Sequence, residues 1–254
     1  MKNKLLFIAV GLALNLGAQT PLSSSNCSLT LTISNEDDGT NGVAVAYNPT
    51  NNLYYTVFAG NAVYPIETHT TSGASINSQD ANFDCRGLWY NPTTKCLEGI
   101  SYGNAGSIKI LLDGTGKIIG TEESTFSYGM EGQTVAVYAE KKKSLMFVES
   151  SSVYFFKPGK SKYKSVYLTM NDPGINLNTN GAAYTGVKNY EIAILEASGN
   201  VVHLFSAKTG KETGQVKLNT NEMELPSFFN ASYANNLFFV FDVNARTWSG
   251  FKLF

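Results

Sequence analysis

Glu149 and Glu196 occupy matching places in two stretches of the same design, LMFVE and IAILE, each four residues after the apolar residue that opens the stretch. Two carboxylates brought to corresponding points would suit hydrolysis of a glycosidic bond, one serving as acid and the other as base or nucleophile. Against that stands a plainer role for both, as strand ends bonded to the adjoining repeat. A second constellation lies in RGLWY, where Trp89 could stack on the apolar face of a sugar ring while Arg86 bonds its hydroxyls. Asn104 in a Gly-Asn loop and Asp242 at the end of LFFVFD complete a candidate ligand-binding set of Arg86, Trp89, Asn104, Glu149, Glu196 and Asp242. No catalytic residue is assigned.

Other chemistries find less support. Loop 34–42, SNEDDGTNG, gathers acids and amides of the kind that hold calcium, but it lacks the EF-hand spacing and reads as an acidic linker. His69 and His203 are the two histidines, and neither has a second histidine or a cysteine at ligand spacing, so no metal is expected. Cys27, Cys85 and Cys96 form no Cys-x-x-Cys motif. Cys85 with Cys96 is the local choice for a disulfide, and three buried thiols are the alternative. No Gly-x-Ser-x-Gly elbow occurs.

Those residues need elements to place them, and the elements repeat. Leu53, Leu97, Leu145, Ile192 and Leu237 begin equivalent apolar runs 44 to 48 residues apart. Before each run, a short strand of small and apolar residues ends in tyrosine: Tyr47, Tyr90, Tyr138, Tyr184 and Tyr233. Tight turns such as NPTNN and NPTTKC join the two, using Asn and Pro for the backbone angles they permit. A third strand follows and, in the middle units, a turn such as DGTGK or SAKTGK and a fourth strand. Four antiparallel strands per unit at this period predict propeller blades. The fifth unit stops at Phe254 without a fourth strand, while SLTLTI at 28–33 is a strand with no unit of its own. The N-terminal strand is therefore expected to complete the last blade and remove the exposed edges. The expectation is an all-β fold, a five-bladed β-propeller, with the recurring tyrosines read as blade packing.

The repeat and its Thr-Gly-Lys turns, Thr115-Gly116-Lys117 and Thr209-Gly210-Lys211, resemble the secreted bacterial β-propellers of the YVTN and quinoprotein-like superfamily over residues 28–254. The resemblance implies the propeller fold. The chain departs from those relatives in lacking a Trp-Asp dipeptide at blade ends and the tryptophan downstream of the Thr-Gly-Lys turns that quinone-cofactor propellers carry, so no cofactor is expected.

Composition agrees with an all-β chain: only 15% of the 254 residues are charged, and 14 Tyr and 15 Phe supply aromatic bulk. The first 18 residues carry two lysines, an apolar run and Leu-Gly-Ala, the pattern of a signal peptide. Residues 19–254 are then a single exported domain, in the periplasm or outside the cell, with no later run long enough to span a bilayer. In a propeller the lysines, among them Lys95, Lys117, Lys141, Lys142, Lys143, Lys160, Lys162 and Lys211, gather on one face and most acids on the other. The lysine-rich face could meet an anionic surface. Nucleic acid is not expected, because the lysine-rich turns carry few aromatic residues to stack on bases. The reading is an exported propeller serving as a protein-binding or scaffolding module, with a protein or glycan at the acidic face or channel mouth. A lectin-like propeller and a hydrolase using Glu149 and Glu196 are the alternatives.

Overall fold

The computed structural model describes residues 22–34, 40–60, 65–80, 83–104, 106–124, 132–157, 164–196, 200–221, 223, 225 and 231–254. The signal-peptide stretch, most of the acidic 34–42 loop and Lys160 and Lys162 lie outside them, as does the side chain of Asn104.

Twenty strands make up the described chain. Four consecutive strands, β2 (Thr40–Asn48), β3 (Leu53–Gly60), β4 (Pro65–His69) and β5 (Ser75–Asp80), pair in sequence order as one sheet. The same meander recurs in β6 (Cys85–Asn91), β7 (Cys96–Ser101), β8 (Ser107–Leu112) and β9 (Ile118–Ser124). It recurs again in β10 (Val137–Ala139), β11 (Ser144–Glu149), β12 (Ser152–Phe156) and β13 (Lys164–Tyr167). An eight-stranded sheet holds the rest. One half is β14 (Ala183–Tyr184), β15 (Ile192–Leu195), β16 (Val201–Phe205) and β17 (Glu212–Asn219). The other is β18 (Ala231–Ala234), β19 (Leu237–Asp242) and β20 (Thr247–Phe251), followed by β1 (Leu22–Thr32) from the start of the chain. No α-helix is present among the described residues.

β1 does two things. Its second half runs antiparallel to β20, Leu31 opposite Trp248, where the sequence predicted a fourth strand. Its first half, Leu22–Asn26, pairs in parallel with β17 and fuses the two groups into one sheet. A register shift between Cys27 and Leu29 separates the two roles. Leu31 is fully buried with Phe241 and Trp248.

The first strand of each group touches the first strand of the next: β2 with β6, β6 with β10, β10 with β14, β14 with β18, and β18 with β2. The contacts close on themselves around a central axis, the arrangement of a β-propeller. Buried apolar clusters lie between successive groups, for example Tyr55 and Val57 with Leu97 and Ile110. One close approach requires glycine: at Gly87, with φ of 154°, a Cβ would stand 2.0 Å from the carbonyl oxygen of Ala136 on the next group.

The turns between third and fourth strands explain the Thr-Gly-Lys recurrence. Gly210 has φ of 72°, and its carbonyl accepts a 2.8 Å bond from Thr169 N of the preceding group. Gly116, φ 91°, accepts a 2.7 Å bond from the Tyr55 hydroxyl on the preceding group. These turns clasp neighbours. Buried glutamates also join neighbouring groups. Ser34 N and Oγ donate to Glu67 at 3.0 and 3.1 Å, and Asn171 N donates to Glu212 at 2.8 Å. Each histidine stands beside one of these carboxylates: His69 in contact with Thr56 Oγ1 at 3.1 Å, and His203 with Glu212 at 2.8 Å through Nδ1. Their setting accounts for both histidines as parts of the scaffold.

Cys85 pairs across the hairpin with Ser101 and Cys96 with Asn91, so the two lie at opposite ends of β6 and β7. The local disulfide is thereby excluded, and all three cysteines are free. Burial pushes the Cys85 thiol up to about 12, which leaves it inert.

Candidate functional site

Each first strand carries its tyrosine at its last or next-to-last position, and the tight turn that follows begins at the same end of the axis. Tyr47, Tyr90, Tyr138, Tyr184 and Tyr233 consequently line one cavity of about 470 Å³. That volume falls in the range of small-molecule pockets, roughly 300–1,000 Å³. Trp89, Pro49 and Pro92 add apolar wall, and Glu140 and Lys141 are the charged residues of the lining. Each of the five packs in or against a buried apolar cluster, as expected of blade packing, and as a set they also line this cavity. The signal was present in their five-fold recurrence just before the turns, which fixes them at one end of the inner strands.

The hydroxyls are not equivalent. Tyr47 donates to Asn52 Oδ1 at 2.8 Å, and Tyr90 shares a 3.2 Å bond with Thr50 Oγ1. Among the described residues, nothing pairs with the hydroxyls of Tyr138, Tyr184 and Tyr233. Tyr184 is 9% exposed. Burial, then the charges of Glu191 and Glu140, push its phenol up to about 12. Burial also raises Tyr138, with Glu98 and Glu140 adding to the effect, and burial alone raises Tyr233. All three remain neutral phenols able to accept and donate.

Several other polar groups in the lining are engaged within the protein. Ser232 Oγ donates to Val45 O at 2.9 Å and accepts from Val45 N at 3.1 Å. Thr185 Oγ1 donates to Tyr190 O at 2.6 Å, and Asn235 Nδ2 donates to Tyr54 at 2.8 Å. Trp89 is stacked on Tyr138 with ring centres 6.4 Å apart, and its Nε1 donates to Glu98 at 3.2 Å. Asn91 and Thr94 also donate to Glu98, so that carboxylate orients the indole. Trp89 and Tyr138 further wall a second cavity of about 410 Å³ between the groups β6–β9 and β10–β13.

Of the six residues singled out from sequence, the structure places Trp89 in the axial lining and the other five at the opposite ends of the strands. Arg86, at the start of β6, pairs with Asp84, donates to Gln133 at 3.2 Å and lies 4.8 Å from the centre of the Tyr102 ring. Glu149 ends β11 and accepts a 3.4 Å bond from Thr134. Glu196 follows β15 and lies 3.7 Å from His203 Nε2. Asp242 ends β19 and caps the next turn through Asn244 N and Ala245 N, both at 3.0 Å. Asn104 belongs to the 3-10 turn Tyr102–Asn104 after β7. Neither Glu149 nor Glu196 lines either cavity. Among the described residues no group of three or more His, Cys, Asp or Glu side chains could hold a metal ion, and no helix is long and apolar enough to cross a membrane.

No protein-family model matches the chain, and no curated protein matches it. Solved structures do. Glutaminyl cyclase from Myxococcus xanthus superposes with a TM-score of 0.61 at 9% identity, covering 91% of this chain and 97% of that one. A protein of unknown function from Bacteroides caccae superposes with a TM-score of 0.41 at 16% identity, covering 80% and 71%. Identity this low speaks to fold alone, and the first superposition supports a propeller over nearly the whole chain.

Proposed function

We propose that the chain is a five-bladed β-propeller whose activity is binding, with a small ligand or an exposed group of a partner seated in the tyrosine-walled axial cavity. The observation that carries this reading is the convergence of five tyrosines on one cavity, three of them with hydroxyls that nothing else engages among the described residues. The closed circuit of five first strands supports the blade count. Export through the N-terminal leader remains part of the proposal.

Binding is favoured over hydrolysis by the same geometry. A glycosidase needs two carboxylates flanking one bond. The axial lining offers a single carboxylate, Glu140, and the second cavity's Glu98 is surrounded by donors from its own protein. The cyclase chemistry named for the Myxococcus structure is a proposal that 9% identity does not carry further.

A thermal-shift screen of residues 19–254 against saccharides, amines and amino-acid derivatives tests the reading. A ligand present at about a hundred times its dissociation constant adds roughly 2.7 kcal/mol to stability. Hits are expected to be lost in Tyr184→Ala and Tyr233→Ala chains that retain the wild-type circular dichroism. Hits that survive both substitutions would place the site elsewhere and overturn the axial reading.

A further inference from the structure

Resting on that reading, we infer that the axial cavity takes an organic primary ammonium group, such as that of a free alkylamine or a lysine side chain. A primary ammonium offers three N–H donors and no acceptor. The cavity offers three phenol oxygens without partners among the described residues, Tyr138, Tyr184 and Tyr233, on three consecutive blades. Around them stand two further phenols and an indole, the π-rich wall that attracts a cation. Glu140, an exposed carboxylate of the lining, has no ion-pair partner among the described residues and supplies the counter-charge.

The local field has the matching sign. Glu140 and Glu191 act on Tyr184, and Glu98 and Glu140 act on Tyr138, each making the phenol harder to ionise. Lys141, the lining's one cation, runs its stem along Gly186, with its Cε 3.7 Å from where a Cβ at that glycine would stand. A saccharide is less well served. It needs fixed donors and acceptors together, and Ser232, Thr185 and the Asn235 amide group are already bonded within the protein.

The test is calorimetric titration of residues 19–254 with n-butylamine, with Nα-acetyl-lysine amide, and with the same lysine derivative acetylated on Nζ. Both amines should bind, and Nζ-acetylation should weaken binding at least tenfold. Stronger binding by the lysine derivative would identify a peptide source, and stronger binding by butylamine a free amine. Glu140→Gln should weaken the amines several-fold and Lys141→Gln should tighten them, while Tyr184→Phe and Tyr233→Phe each weaken them without altering the melting curve. Equal binding of the acetylated derivative, or reversed signs at Glu140 and Lys141, would overturn the inference. If amines fail but a saccharide binds and is lost in Tyr184→Ala, the ammonium assignment falls and the axial site stands. If a ligand binds undisturbed by either tyrosine substitution, both fall.

Discussion

His69 shows how one enclosed residue ties stability to pH. It is fully buried at the contact between β1's exit and β4, its Nδ1 has no partner among the described residues, and burial pulls its pKa down to about 4. The unfolded chain takes up that proton near pH 6.5, the folded chain only near 4. The neutral form's advantage is complete above pH 6.5 and is lost as pH falls toward 4, to a total of about 3 kcal/mol. Urea unfolding between pH 7.5 and 4.5 should show the decline, and His69→Gln should flatten it. An unchanged slope in that variant would mean that burial of His69 is not its source. Glu212 acts in the same direction at lower pH. Burial raises its pKa, but bonds from His203, Asn171 N and Gln215 outweigh that and leave it lowered. The contribution is present above the ordinary carboxylate range and disappears as pH falls through the lowered value.

At the scale of the elements, the turn glycines are the sharpest test of how groups are joined. A Cβ at Gly210 would stand 1.8 Å from Tyr167 O, and at Gly116 2.0 Å from Asn51 Nδ2, while at Gly114, in the same turn as Gly116, it would meet nothing within 4 Å. Gly210→Ala and Gly116→Ala should each destabilise by more than the roughly 1–2 kcal/mol that a left-handed backbone alone imposes on a side chain. Gly114→Ala should be close to neutral. Denaturant midpoints for the three variants check the ranking. The repeating hairpins were legible in the sequence because turn residues and apolar runs recur in one register. The first half of β1 was not, because Ser23, Ser24 and Asn26 are polar and exposed and show no apolar alternation, while backbone pairing and side-chain bonds such as Asn219 Nδ2 to Asn26 Oδ1 at 2.7 Å hold them to β17. Nor did residue type distinguish a tyrosine that only packs between blades, as Tyr55 does, from one that packs there and also lines the cavity, as Tyr184 does. The charged and amide residues picked out for chemistry lie at the far strand ends, and of the six residues singled out Trp89 alone reaches the cavity.

For the whole molecule, closure by the chain's own N-terminal strand should make the ring unfold as a unit. Leu31 is the buried contact of that strand, and Leu31→Ala should cost about 2–5 kcal/mol. Tryptophan fluorescence and far-ultraviolet circular dichroism should report one coincident transition in both chains. Separate transitions would show that the groups unfold independently. The cavity belongs to this scale too, since all five groups contribute a tyrosine to it and none could form it alone. Trp89 is its natural reporter, because the second tryptophan, Trp248, is fully buried against Phe241 and lines neither cavity. The most direct measurement is a fluorescence titration with Nα-acetyl-lysine amide of the wild-type chain beside Trp89→Phe. Occupation of the axial cavity predicts a saturable emission change in the wild type that is absent from the variant, while calorimetry still detects binding by the variant. A saturable change of the same size in Trp89→Phe, or binding with no emission change in the wild type, would contradict an axial site.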